Sequence, residues 1–279
     1  MKFKKLALGF ISSLLLLGPS ANVFAEEDVS SGASETSEWY TDPADLKDEY
    51  DIVIIGAGGG GMAAGLSAKE AGADVVIFEK MPIAGGNTSK SSGGMNASET
   101  KFQKDQGIED SNDLFYKETF EGGKETNDPD LLHFLVDHSA DGIEWLDSMG
   151  ITLNNITFSG GASVARIHRP EDGAAVGGYL VEGLLRNIHE QEIPLFVNSE
   201  VTKINEEDGK VSGIDVTVEG QDKSIKAKAV IVATGGFGGD LEMVSDIKPE
   251  LEGFVTTNHE GATGDGIEMA QELGAAVVD

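Results

Sequence analysis

The stretch DIVIIGAGGGGMAAGLSAKEAGADVVIFEK (Asp51–Lys80) decides how the rest of the chain is read. Ile52–Ile55 is a continuous β-branched run, as expected of a strand covered on both faces in a parallel sheet. Gly56-Ala57-Gly58-Gly59-Gly60-Gly61 follows at once and fits G-x-G-x-x-G. Met62–Ala71 reads as a helix, with Ala63, Ala64 and Ala68 small enough to lie close to the sheet and Gly72 as its cap. Asp74–Phe78 reads as a second strand, and Glu79 stands at its end, 18 residues after Gly61. A lone glycine motif is a weak signal. Here strand, motif, helix, strand and acid fall in register, which is the dinucleotide-binding fingerprint.

Each part of the motif has a physical task. Gly56 permits the tight turn, Gly58 lets a pyrophosphate approach the backbone, and Gly61 lets the helix pack on the strand. The helix N-terminus offers free N–H groups and the positive end of a dipole to the phosphates. Ala57 and Gly60 lie within the same loop, and Glu79 is placed to take ribose hydroxyls.

Outward from this core, the chain divides into three. Residues 1–25 read as a secretory signal peptide: Lys2, Lys4 and Lys5 precede the apolar run Leu6–Gly18, and Val23 and Ala25 suit a cut before Glu26. That run has 13 residues, too few to span a bilayer, which needs roughly 20. The protein is therefore expected to be exported, with no membrane span after signal cleavage. Residues 26–48 are rich in Ser, Glu and Asp and are expected to form a disordered linker. Residues 49–279 carry the folded domain.

A formal net charge of -29 argues against nucleic acid and against anionic membrane surfaces as partners. The chain has no cysteine, which excludes disulfides, thiolate-held iron–sulfur clusters and C-x-x-C-H haem attachment within it.

Asp128-Pro129 opens a helix with an acidic cap and Pro at its first position, and apolar spacing carries it to Gly150. His133 and His138 fall on that helix five residues apart, on different faces, so no metal pair is expected. Val176–Glu190 reads as a further helix. Leu195–Asn198, Val201–Asn205, Val211–Val218 and Lys223–Ala227 read as strands of a small inserted antiparallel meander. Val230–Ala233 then returns to the parallel sheet. ARIHRP holds two of the chain's three arginines, Arg166 and Arg169, around His168; the third is Arg186. The pair could steer an anion or face a cofactor, or could pair with carboxylates and hold a loop.

The segment MPIAGGNTSKSSGGMNAS (Met81–Ser98) bears on the choice of dinucleotide. Its glycines, Gly85-Gly86 and Gly93-Gly94, lie among hydroxyl and amide side chains, suited to a long polar chain such as pyrophosphate plus ribityl. That favours FAD over NAD. GGNTSKSSGGMNA, EGGKETNDPDLL (Glu121–Leu132), GGASVARIHRP (Gly160–Pro170), ATGGFGGD (Ala233–Asp240) and TNHEGATGDGIEMAQELGA (Thr257–Ala275) occur in that order. From Asp51 to its last residue the chain resembles the flavoprotein of flavocytochrome-c-type fumarate reductases, in the succinate dehydrogenase/fumarate reductase flavoprotein superfamily.

The resemblance implies an α/β, Rossmann-like FAD-binding domain with a parallel sheet and an inserted antiparallel meander. It implies that Glu79-Lys80 holds the adenosine ribose. Gly86, Asn87, Thr88, Ser92, Gly93 and Gly94 would lie along the pyrophosphate and flavin. Val201 would meet adenine through its backbone, Ala233-Thr234-Gly235 would close over the pyrophosphate, and Asp265 would contact the cofactor. Read alone, Val201 is a core strand residue and Asp265 a helix cap.

The implied reaction moves hydride from reduced FAD to an unsaturated carboxylate, fumarate first, with electrons from a partner protein or another domain. Urocanate or another alkene acid is the alternative substrate within the family. Such a reaction needs arginines and histidines that clamp a dicarboxylate. In the family these lie beyond the position of Asp279, as do a capping domain and a C-terminal flavin segment, so no catalytic residue is assigned to this chain. The final GATGDGIEMAQELGAAVVD reads as a helix over Asp265–Leu273, a stop at Gly274 and the start of a strand. The chain is therefore expected to be the N-terminal portion of a longer flavoprotein and inactive alone. A ketosteroid-dehydrogenase-like flavoprotein and a secreted non-catalytic flavin-binding protein are the competing readings.

Overall fold

The structure, a computed structural model, describes residues 39–277. The signal segment and the linker up to residue 38 lie outside the described residues.

Strand β1 (Glu49–Ile55) leads through the glycine loop into helix α1 (Gly59–Glu70), and β2 (Val75–Phe78) follows. The next segment holds α2 (Gly86–Ser89), the short strand β3 (Met95–Asn96) and α3 (Lys101–Asp105). Helices α4 (Asn112–Gly122), α5 (Pro129–Asp137) and α6 (Ser139–Ser148) precede strands β4 (Asn155–Thr157) and β5 (Ile167–Arg169). Then come α7 (Val176–Glu190), β6 (Leu195–Phe196), β7 (Ser199–Glu207), β8 (Lys210–Val218) and β9 (Gln221–Val232). Helices α8 (Leu241–Ile247) and α9 (Asp265–Glu272) close the described chain.

The main sheet runs β6-β2-β1-β9-β8-β7. β1 pairs in parallel with β2, from Ile52 opposite Val75 to Ile55 opposite Phe78. On its other side β1 pairs in parallel with β9, ending with Ile55 opposite Val232. β9 is one unbroken strand: its first half pairs antiparallel with β8, from Val218 opposite Gln221 to Gly213 opposite Lys226. The sequence suggests two strands here, a meander strand and a returning strand. The structure joins them, because Lys228 and Ala229 keep the extended backbone between the two pairings. The meander is thus β7-β8-β9, a continuation of the main sheet, while Leu195–Phe196, read as its first strand, instead pairs in parallel with β2 at the opposite edge.

Alternation along the central strands separates two cores. Ile54, Ile77 and Leu195 face α1 and α7, where Met62, Leu66, Leu184 and Ile188 bury them. Val53, Ile55, Val76, Phe78 and Phe196 face the other side with Ile214, Val216, Ile225 and Met269. Covering both faces explains the unbroken apolar run of β1. The close approach of α1 comes from Gly61 and Gly65 more than from Ala63: a Cβ on Gly65 would stand 2.8 Å from Ile77 Cδ1. Gly72 ends the helix with φ +85°.

Three expectations need correction. The helix read over residues 128–150 is two helices, broken at His138 (φ -105°), which ends α5 and starts α6. Ser139 Oγ donates to Val136 O and His138 Nδ1 meets Asp141 Oδ2, local bonds that compete with a continuous ladder. Residues 39–48 pack against the domain, although the linker was expected to reach 48. Trp39 stacks on His189, and Thr41 N–H donates to Leu195 O while Leu195 N–H donates to Thr41 Oγ1. This segment covers the outer edge of β6, where apolar ring burial outweighs the acidic composition around it. Finally, residues 275–277 do not form a strand, and α8 was not foreseen. Among the described residues no helix is long and apolar enough to cross a membrane.

Candidate cofactor-binding groove

The C-terminal ends of β1, β2 and β9 open onto a groove, the crevice where open α/β sheets bind ligands. A cleft of about 960 Å³ lies over Gly56, Gly58, Gly59 and Gly60, walled by Glu79, Gly86, Asn87, Thr88, Ala233, Thr234 and Gly235. Met81, His259, Gly261 and Ala262 complete it. A recess of about 370 Å³ adjoins it, sharing Gly56, Glu79, Thr234 and Gly261, and adds Phe78, Lys80, Ser199, Val201, Asp265 and Met269. The two form one elongated trough.

The glycine loop is fixed by contact. Gly56 turns with φ +102°, and a Cβ there would lie 2.5 Å from Ala233 O. At Gly61 a Cβ would lie 1.9 Å from Gly56 O. Gly60 has open space above it. The first N–H groups of α1 have no intrahelical partner. One of them, on Gly59, donates to Thr88 Oγ1 at 3.0 Å. That of Gly60, which lines the cleft, remains for an anion.

Glu79 is buried and held twice. Its Oε2 accepts from Ala57 N–H and its Oε1 from Met81 N–H, each at 2.9 Å. Each carboxylate oxygen retains a lone pair. The geometry therefore suits two neighbouring hydroxyls, as on a ribose.

Lys80 bridges the trough's far end, bonding Thr263 and Asp265. Burial pushes the Asp265 carboxyl up, but hydrogen bonds from Lys80 and Thr263 outweigh that and leave it below the usual carboxylate range. A carboxylate depressed in the folded state contributes stability above its unfolded value of about 3.9, and the contribution is lost as pH falls through the lower folded value. Asp51, Asp147 and Asp215 are depressed in the same direction by hydrogen bonds from Lys228, from Lys101, and from Ser224 and Asn205. The melting temperature is therefore expected to hold from neutral pH to about pH 5 and fall below about pH 4. Asp265→Asn should remove only its own share, under about 1 kcal/mol because the pair is partly exposed. A pH profile of melting for both proteins checks this.

Of the residues singled out in the sequence, the structure brings Gly56, Gly58, Gly60, Glu79, Lys80, Gly86, Asn87, Thr88, Val201, Ala233, Thr234, Gly235 and Asp265 to the trough. Ala57 and Gly61 lie buried beneath it. Ser92, Gly93 and Gly94 do not line it. Gly94 packs against β5, where a Cβ would lie 2.5 Å from His168 O, and Ser92 O accepts from Arg169 at 3.2 Å. The sequence reading missed His259, Gly261 and Met81. The motif TNHEGATGDG held two of them, but only Asp265 carried a charge that drew notice.

None of the three arginines lines the trough. Arg166 is buried between Asp110 and Glu118, so ion pairing explains it. Arg186 bonds the carbonyl of Met149. His168 is fully buried, with Nδ1 on Arg166 O and Nε2 on Thr100 Oγ1. Burial pushes its pKa down. No group of acids and histidines among the described residues could hold a metal ion.

Parallel sheet, glycine turn, anion-ready helix end and ribose-ready acid define a dinucleotide-binding domain. The FAD binding domain family matches residues 51–279, and the chain belongs to that family. FAD is its cofactor, and the trough fits it: elongated, open above Gly60, with Glu79 placed beside the helix end. The chain is 49% identical over 231 residues to an NADH:fumarate oxidoreductase of Klebsiella pneumoniae, covering 82% of this chain and 25% of that protein. It is 42% identical over 236 residues to a fumarate reductase (cytochrome) of Shewanella frigidimarina, covering 83% of this chain and 41% of that protein. The open conformation of a flavocytochrome c3 fumarate reductase superposes with a TM-score of 0.80 at 37% identity, over 88% of this chain and 43% of that one. The chain thus spans a quarter to about two fifths of the length of these relatives.

Proposed function

We propose that this chain is the FAD-holding part of an exported oxidoreductase that reduces the carbon–carbon double bond of an unsaturated carboxylate, with fumarate as substrate and succinate as product. The observation that carries it is the trough itself: Glu79 locked beside the open N-terminus of α1, with the TGDG segment closing the far side. The similarity to fumarate reductases over the same residues supports the substrate class.

Bound FAD would supply hydride transfer. The residues of this chain hold it. Gly58, Gly60 and the end of α1 take the diphosphate, Glu79 and Lys80 border the ribose, and Val201 borders the adenine. Ala233, Thr234, Gly235 and Asp265 close the trough, and Asn87 and Thr88 tie its two walls together. The arginines that would clamp a dicarboxylate and donate its proton are assigned to residues outside this chain, because its own three are engaged elsewhere or distant from the trough. Electrons would arrive from a partner protein or a further domain, and the N-terminal lysines and apolar run would direct export.

Purified with FAD, the protein that carries this chain should oxidise a reduced viologen dye when fumarate is added. Dye oxidation with urocanate alone would move the substrate within the class. No oxidation with fumarate, urocanate or acrylate would remove the reductase reading. One-to-one FAD binding without turnover would leave a flavin-binding protein.

A further inference from the structure

His259 stands in the cleft beside the diphosphate-binding end of α1, and no motif reading gives it a role. Its position is set from three sides. Its backbone N–H donates to Asn87 Oδ1 at 2.7 Å, and Asn87 Nδ2 donates to Asn258 Oδ1 at 3.0 Å. Its carbonyl accepts from Ala262 N–H at 2.9 Å. Thr88, next to Asn87 in the chain, holds Gly59 N–H of α1 at 3.0 Å. Two consecutive residues therefore tie His259 to the first turn of the anion-binding helix.

The ring itself is oriented. Its Nδ1 accepts from Gly261 N–H at 3.1 Å. A ring nitrogen that accepts from an amide carries no proton, so the neutral ring is protonated on Nε2. Among the described residues Nε2 has no hydrogen-bond partner. No lysine or arginine lines this part of the trough. His259 thus brings one side-chain N–H of fixed tautomer to the same cleft as the N-terminal residues of α1.

We propose that His259 is a cofactor-binding residue whose Nε2–H donates a hydrogen bond to the FAD diphosphate, with Gly261 holding the tautomer. This rests on the FAD reading of the trough. The donor is a neutral imidazole, which gives directionality without a formal charge. A glutamine can place an amide N–H near the same point, whereas alanine cannot.

The test is FAD and ADP titration of the full chain by calorimetry for wild type, His259→Ala and His259→Gln, with melting curves to show that all three fold. A hydrogen bond to a charged group predicts roughly ten- to a hundredfold weaker FAD binding for His259→Ala. ADP, which carries the diphosphate without flavin, should weaken by a similar factor, and His259→Gln should recover most of both. Unchanged FAD affinity in His259→Ala overturns the proposal. Weakened FAD with unchanged ADP overturns the diphosphate assignment. Equal loss in the Gln and Ala proteins overturns the donor role in favour of ring packing. Failure of the wild type to bind either ligand would instead remove the cofactor reading itself.

Discussion

The Gly61→Ala protein is expected to lose about 3 kcal/mol of stability and its FAD affinity together. The added Cβ would stand 1.9 Å from Gly56 O and 3.3 Å from Ala233 Cβ. Neither neighbour is the free end of a flexible side chain. Gly56 is already committed to φ +102° against Ala233 O, so the loop cannot retreat without moving β9. Relief must come from lifting the first turn of α1, and that turn carries the N–H proposed to take the diphosphate. The melting temperature should fall by roughly 6–12 °C, since each kcal/mol is worth about 2–4 °C at this size. FAD titration below the transition should show at least tenfold weaker binding, because the loss is geometric. A Gly60→Ala control has open space at its Cβ and should melt within about 1 kcal/mol of wild type. If the Gly61 and Gly60 variants behave alike, the close approach of α1 to β1 does not govern the site.

The second large effect lies away from the trough. Arg166 is 2% exposed and forks onto Asp110, with Nε to Oδ2 at 3.0 Å and Nη2 to Oδ1 at 2.8 Å, while Nη1 donates to Glu118 at 2.6 Å. Its guanidinium carbon also sits 4.9 Å from the centre of the Phe115 ring. Burial alone would lower the arginine's pKa, but Asp110 and Glu118 outweigh it, so the group stays charged. Arg166→Met removes the cation and leaves the Asp110 carboxylate, whose side chain is 0% exposed, without its partner. Breaking one half of a buried pair costs about 3–5 kcal/mol. The combined Arg166→Met, Asp110→Asn protein should recover part of that, because the stranded charge is gone. FAD affinity of the folded variant should not change, since neither residue reaches the trough. Chemical denaturation of both variants with FAD titration decides between this structural role and an anion-steering one.

How far the sequence could be read follows from where the information lies. The βαβ start was legible because a both-faces-buried strand, a glycine turn and a terminal acid are local features of Asp51–Glu79. The limits of α7 were legible because its apolar spacing continues from Val176 and ends before the turn at Gln191. The break at His138 was not, since apolar spacing continues across it and only side-chain bonds to neighbouring carbonyls and Asp141 interrupt the ladder. The joining of β9 was hidden for a different reason. Partner choice on each edge of a strand is a tertiary property, and nothing in KAKAVIV says where antiparallel pairing gives way to parallel. In the site, charged and glycine positions announced themselves. His259 did not, because its placement depends on Asn87, which a loop 172 residues away brings beside it.

The two-way pairing of β9 also sets an order of assembly. β7, β8 and β9 are joined by tight turns, so their antiparallel pairs close over short loops and at small entropic cost. The parallel pairing to β1 is another matter: Lys228 grips Asp51 across 177 residues of chain. Closing that long loop costs more entropy than closing either tight turn, so the parallel pairing follows the hairpin. Until then the loop lacks Ala233, the wall against which Gly56 turns, and the trough has only one side. A trough with both walls therefore exists only after the hairpin has formed and docked, and flavin binding is expected to report on completed sheet assembly.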